Sequence, residues 1–368
     1  MLANVSPIAD RLRRAREATD AASVDVLLIT PGPDLRYLTG YAALPLERLT
    51  CLVLPANGEP KLVVPALERP AAEASGIGEA LEIVDWQETD DAVALVAEML
   101  PGASRIALGD KMWAEKVLRF RDAMPHAEQV LAGPVLTELR MRKSPEEVEY
   151  LREAAQAIDR VHARMAEWLR AGRTENDVAR DIAAAMVEEG HATADFVIVA
   201  SGPNGASPHH EPDDYVIADG DPVVVDIGGV TPAGYCSDST RTYVIGEPPS
   251  EFAKAYDALL QAQIAACEHV RPGVTAESVD ATARDILTEA GLGEYFIHRI
   301  GHGIGMETHE EPYIVTGNTL PLEAGMAFSV EPGFYFAGKY GARIEDIVVA
   351  TEDGVDRLNL RPRELAIL

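Results

Sequence analysis

The stretch Pro222-Val223-Val224-Val225-Asp226-Ile227-Gly228-Gly229 is followed, after a short interval, by Tyr235-Cys236-Ser237-Asp238-Ser239-Thr240-Arg241-Thr242. The valines and the isoleucine make a β-branched run that reads as a buried strand. Between Asp226 and Asp238 lie Gly228, Gly229, Pro232 and Gly234, which suits a hairpin turn. Asp226 and Asp238, twelve residues apart, would then stand side by side on adjacent strands. Two close carboxylates repel unless a proton or a cation lies between them.

Working outward, three further stretches carry unusual polar residues. His302 sits among glycines in His298-Arg299-Ile300-Gly301-His302-Gly303-Ile304-Gly305, and His309 follows in Thr308-His309-Glu310-Glu311-Pro312. Glu331 lies in Phe328-Ser329-Val330-Glu331-Pro332-Gly333, and Glu345 in Gly341-Ala342-Arg343-Ile344-Glu345-Asp346. Acidic residues are disfavoured in such strand-like runs. Four carboxylates and one imidazole can hold two divalent ions, and an oxygen-rich set suits Mn2+ or Fe2+, with Co2+ and Zn2+ able to enter. Such a pair would lower the pKa of a bound water and polarise a carbonyl.

The same alternation extends through the chain. Before residue 135, patterns read helix (8–22), strand (24–30), a hairpin (49–55 and 61–66), then strand, helix, strand and helix to 124. That is an α/β domain, and no glycine-rich phosphate loop follows its strands. Ser144-Pro145-Glu146-Glu147 reads as a helix start, with Ser as cap and Glu three residues on. Helices are expected to about 165, from 175 to 189, from 251 to 270 and from 276 to 290, with strands at 196–200, 222–227, 234–244, 326–330 and 341–350. The domain boundary is placed near 135, giving domains 1–135 and 136–368.

Composition narrows the function. The 368 residues include 32 Lys and Arg against 60 Asp and Glu, a net charge of −28. Residues 1–135 carry −7 and residues 136–368 carry −21. This excess excludes a nucleic-acid partner, which needs a basic footprint, and an anionic membrane surface. The start of the chain shows no secretion signal, and no apolar run approaches the roughly 20 residues of a membrane span. Three cysteines, Cys51, Cys236 and Cys267, show no paired spacing. A reducing, cytoplasmic setting is expected.

The second part resembles the pita-bread metallopeptidases, the family of methionine aminopeptidase, aminopeptidase P and prolidase. Five motifs occur in the family's order over about 120 residues. The resemblance implies that Asp226, Asp238, His302, Glu331 and Glu345 are metal ligands, in an α+β pita-bread catalytic domain. His209, in Ser207-Pro208-His209-His210, and His309 match the proline-directed members, as does Arg140-Met141-Arg142-Lys143-Ser144-Pro145-Glu146-Glu147. The first part is similar to the creatinase-type, ribonuclease H-like α/β domain, which methionine aminopeptidases lack. One departure is visible: the Asp226-to-Asp238 interval is twelve, where the family commonly has eleven.

The resemblance implies an Xaa-Pro dipeptidase of bacterial type with two divalent ions, Mn2+ foremost. A hydroxide bridging the ions would attack the carbonyl before proline, with Glu331 as proton shuttle and His209 and His309 holding the carbonyl. His298, Arg343 and Tyr235 are candidates for contacting substrate. Aminopeptidase P activity is the alternative, and a non-catalytic binding module is disfavoured because all five ligands are present. A homodimer is expected from the same resemblance.

Overall fold

A computed structural model describes residues 7–368. The expectation about a secretion signal falls partly on residues 1–6, outside the described residues. The chain divides into two compact units, Met1–Arg140 and Met141–Leu368.

The first unit is built on a six-stranded sheet. The expected hairpin forms: Cys51–Pro55 pairs antiparallel with Lys61–Pro65, and Val26–Ile29 lies antiparallel to Cys51–Pro55 on its other edge. Arg105–Leu108 and Glu128–Leu131 extend the sheet in parallel, and Glu82–Trp86 runs parallel to Lys61–Pro65. Phe120 and Val96 from the flanking helices, with Trp86 at the end of its own strand, pack in one cluster with Val26, Leu28 and Val53. Short helices at Pro33–Thr39 and Arg69–Ala74 and the strand Glu128–Leu131 were not read from the sequence. Each is seven residues or fewer, too short for a period to show.

The second unit repeats one order of elements: two helices, then antiparallel strands. The first pair is Pro145–Ala163 and Glu175–Glu188; the second is Ser250–His269 and Ala276–Glu289. Ser144 caps the first helix as expected, its hydroxyl accepting from the Glu147 N–H while the Glu147 carboxylate accepts from the Ser144 N–H. Such a reciprocal cap stabilises a helix by about 1 kcal/mol.

Thr193–Ser201, Pro222–Val230 and Cys236–Val244 form an antiparallel meander, joined on its edge by Ala366–Ile367. Val223, Val225, Ile227 and Tyr243 bury one face against Ile158, Val178 and Ile182 of the helices. Side chains alternate along a strand, so Val224, Asp226 and Gly228, with Asp238, Thr240 and Thr242, face the other way. The second half supplies a sheet of Glu310–Ile314, Gly301–Gly303, Ala327–Val330, Asp346–Thr351 and Gly354–Arg357. Phe252, Tyr256, Phe328 and Phe334 anchor its core.

Two readings change. Asp226 lies inside its strand rather than at its end, because Gly228 and Gly229 continue the ladder to Val230. The stretch 341–350 is two strands, Tyr340–Arg343 and Asp346–Thr351. Their partners differ: the first pairs with Gly333–Phe336, the second with Ala327–Val330. Glu345 sits at the joint between them.

Gly301 shows what the tight packing demands. A Cβ there would lie 1.9 Å from the Ser329 carbonyl oxygen, so the strand bearing His302 can approach its neighbour only as glycine. Gly301→Ala is expected to cost about 1–3 kcal/mol, read as a lowered urea midpoint with unchanged slope.

Candidate metal centre

The hairpin turns at residues 231–235, which sets the register of its two strands: Asp226 faces Thr240, and Asp238 faces Gly228. The two aspartates are diagonal neighbours on one face, not directly opposed. The twelve-residue interval is therefore even, and an even interval about this turn keeps both on the same face.

Glu345 arrives at this face from the strand break, held by its N–H to the Thr240 carbonyl at 3.1 Å. The Thr240 hydroxyl donates to Glu345 Oε2 at 2.7 Å. His302 projects from the Gly301–Gly303 strand, and Glu331 follows directly after Ala327–Val330. Ser329 ties the two: its hydroxyl accepts the His302 N–H at 3.0 Å and donates to Glu331 Oε1 at 3.0 Å. His302 Nε2 lies 3.2 Å from Glu331 Oε1 and 3.6 Å from Asp238 Oδ2.

Ligand-type atoms of Asp226, Asp238 and Glu345 fall within 4.8 Å of one another, and so do those of His302, Glu331 and Glu345. Asp226, Asp238, His302 and Glu345 are all buried. Asp226 Oδ1 and Glu345 Oε1 are buried without any hydrogen bond. A buried acceptor left unpaired costs about 1–3 kcal/mol, and more when charged. Cations placed among these oxygens would satisfy both, so the residues fit divalent metal binding.

Electrostatics agree with that fit. Burial first, then Glu345, Asp226 and Glu331, push the Asp238 carboxyl well above its ordinary range. Burial, then Glu331 and Asp226, do the same to Glu345. Burial alone would also raise Glu331, but the hydrogen bond and charge of His302, with His298 and Arg343, hold it down at about 2. Burial, His302 and Arg299 press His309 down to about 4.

Arg343 is the one buried arginine or lysine against these acids among the described residues of the cleft. It donates to Asp226 Oδ2 at 2.6 Å, Thr240 Oγ1 at 3.1 Å, the Tyr335 hydroxyl at 2.8 Å and the Pro208 carbonyl at 3.3 Å. Tyr335 was not picked out in the sequence. Its hydroxyl also lies 2.9 Å from His298 Nε2, while His298 Nδ1 is 2.7 Å from the Arg299 carbonyl. A carbonyl can only accept, so Nδ1 carries the proton and the Tyr335 O–H donates to Nε2.

A cleft of about 530 Å³ opens above the cluster, lined by Phe196, Ile198, His209, His309, Glu331 and Arg343 among others. His309 stands edge-on to His302, ring centroids 4.0 Å apart. The five expected ligands, His209, His309 and Arg343 therefore converge on one cleft. His298 and Tyr235 do not line it. His298 is occupied by Tyr335 and Arg299, and Tyr235 lies apart, its hydroxyl donating to Glu147 and its ring stacked on Tyr150. Ser329, Thr240 and Tyr335 went unread because a hydroxyl in a strand carries no signal beyond its propensity.

Raised carboxylates give the metal-free protein a defined weakness. Such a group supports folding while protonated, and that support fades as pH rises through its folded value. Without metal, Asp238→Asn is expected to unfold at a higher temperature than the parent, with the gap widening from about pH 5 to pH 8. With Mn2+ the order should reverse. Thermal unfolding with chelator and with Mn2+ checks both signs.

Two sequence families match the chain: "Creatinase/Prolidase N-terminal domain" over residues 11–142 and "Metallopeptidase family M24" over residues 149–352. A relative from Mycobacterium tuberculosis, described as "Probable dipeptidase PepE", is 56% identical over 98% of this chain and 96% of its own. The crystal structure of dipeptidase PepE from Mycobacterium ulcerans superposes with a TM-score of 0.93 at 54% identity, covering 98% of both chains. An Xaa-Pro dipeptidase from Lactobacillus delbrueckii subsp. lactis is 35% identical over 94% of this chain and 95% of its own.

Proposed function

The chain belongs to metallopeptidase family M24, and from that premise we propose that it is an Xaa-Pro dipeptidase that cleaves the peptide bond before proline. The observation that carries this is the cluster of Asp226, Asp238, His302, Glu331 and Glu345 at the floor of the cleft, with two buried carboxylate oxygens unpaired. Those five residues would hold two divalent ions, Mn2+ first among the metals an oxygen-rich set prefers. Ions held there would supply Lewis acidity towards the scissile carbonyl and a more acidic water.

The chain's own groups divide the remaining work. Glu331, held down at about 2, is ionised at neutral pH and can take a proton from water. It then returns that proton to the departing proline nitrogen. His309, held at about 4, is uncharged at neutral pH and can offer an N–H to the carbonyl oxygen. His209 lines the same cleft and would make the second such contact. Asp226 is oriented by Arg343, which Tyr335 and His298 brace in turn.

Proline explains why this equipment is apt. The bond before it is a tertiary amide without an N–H. A peptidase that recognises that donor fails on it, whereas carbonyl-directed groups do not require it. The relatives described as dipeptidases support a dipeptide substrate.

The setting belongs to the same proposal. No helix among the described residues is long and apolar enough to cross a membrane. Among the described residues, Cys51, Cys236 and Cys267 are buried thiols outside any disulfide, in keeping with a reducing cytoplasm. A homodimer completes the reading taken from the family resemblance.

Mn2+-loaded protein is expected to hydrolyse an alanyl-proline dipeptide and to leave a longer alanyl-proline-led peptide largely intact. Cleavage of the longer peptide alone would make it an aminopeptidase instead. Glu331→Gln should lower kcat by ~100-fold or more. Wild-type turnover by that variant would remove Glu331 from its assigned role.

A further inference from the structure

His209 reaches the cleft from a segment, residues 202–213, that has no regular structure beyond the short turn Gly202–Ala206. The imidazole is exposed and makes no hydrogen bond within the described residues. Its place is therefore set by whatever holds the backbone on either side. One hold is visible inside the cleft: Arg343 donates to the Pro208 carbonyl, the residue immediately before it.

The second hold lies behind the segment. Glu175 opens the helix Glu175–Glu188, and its side chain is fully buried. Its carboxylate accepts from the Ser201 N–H at 2.6 Å, from Asn204 Nδ2 at 3.1 Å and from the Asp213 N–H at 3.3 Å. His210 Nε2 lies 2.8 Å from the same carboxylate. These four partners are the residue before the segment, two residues within it and its last residue. The helix end adds to the hold: the N–H groups of Glu175 and Asn176 donate to the carbonyls of Tyr215 and Asp213.

Glu175, His210 and Asp213 are also close enough to be mistaken for a metal site. The donors decide against it. Ser201, Asn204 and Asp213 each aim an N–H at the Glu175 oxygens, which a cation would have to displace. The group is a hydrogen-bonded clasp.

We propose that Glu175 is a positioning residue for the proline-directed reaction: through His210 and the ends of the 202–213 segment, it fixes His209 at the cleft. This rests on the reading of His209 as a carbonyl-holding group. A buried acceptor with four donors tolerates no amide, because Gln places an NH2 among N–H groups that already point inward. A misplacement of about 1 Å can lower turnover by ~100-fold.

The test is a double-mutant cycle on Mn2+-loaded, full-length protein with alanyl-proline as substrate. Glu175→Gln and His209→Ala should each lower kcat by ~10-fold or more. The double variant should be no slower than His209→Ala alone, because Glu175 acts only through that ring. Multiplying losses, or unchanged kcat in Glu175→Gln, would overturn the proposal. If Glu175→Gln does not fold, His210 gives the same answer: His210→Gln keeps a donor at the Nε2 position and should retain activity, whereas His210→Phe should lose it. Equal activities in those two would count against the clasp.

One readout is independent of turnover. In the Zn2+-loaded, diamagnetic protein, the imidazole Cε1–H resonance of His209, assigned by its loss in His209→Ala, should shift or broaden in Glu175→Gln or His210→Phe, while Mn2+ stoichiometry, measured separately, stays at the parent value. An unmoved resonance overturns the clasp. A moved resonance in a protein inactive on alanyl-proline upholds the clasp and condemns the Xaa-Pro reading instead.

Discussion

Carboxylates crowded into a dry space repel one another, and the larger unit is organised around that repulsion. Asp226, Asp238 and Glu345 are buried within ligand distance of each other, and Glu331 joins them through His302. Among the described residues lining the cleft, Arg343 is the one buried arginine or lysine that opposes them, and it is committed to Asp226, Thr240, Tyr335 and Pro208. Unbalanced charge of this kind is tolerated only where protons or cations complete it. The surrounding framework is correspondingly dense in hydrogen bonds and close backbone contacts. Antiparallel ladders, a glycine pressed against the Ser329 carbonyl and an arginine with four side-chain hydrogen bonds hold groups in place that would otherwise move apart.

Much of this could be read from residue order. Asp226 and Asp238 stood out because an acid in a β-branched run has no packing reason to be there, and the glycines between them pointed to a hairpin. The capping box at Ser144 to Glu147 was legible because capping is local chemistry. What escaped was what depends on tertiary contact. Nothing in the order of residues shows that the stretch 341–350 breaks at Glu345 because its two halves pair with different strands. Tyr335 was hidden and Tyr235 was overvalued for one reason: a tyrosine's neighbours cannot be inferred from its position in the chain. Glu175 looked like an ordinary first-turn acid, since its four partners lie 26 to 38 residues away.

The chemistry thus draws on groups at several depths. The metal-type ligands form the floor, His209 and His309 the walls, and Arg343 with its tyrosine and histidine a brace beneath. The excess of acid in residues 136–368 has a partial explanation here. Four of those carboxylates belong to the cluster, and two divalent ions would neutralise them. Glu147, Asp159, Glu175, Asp280, Glu310 and Asp346 are buried elsewhere in the unit, and the remainder form an acidic surface of the kind that keeps a protein dispersed.

The most direct measurement is anomalous X-ray scattering from crystals grown with Mn2+. The account predicts two peaks roughly 3.5–4 Å apart, both within bonding reach of Asp238 and Glu345, with Asp226 on one side and His302 and Glu331 on the other. A single peak away from Asp226 and Glu345, or none in the cleft, would contradict it.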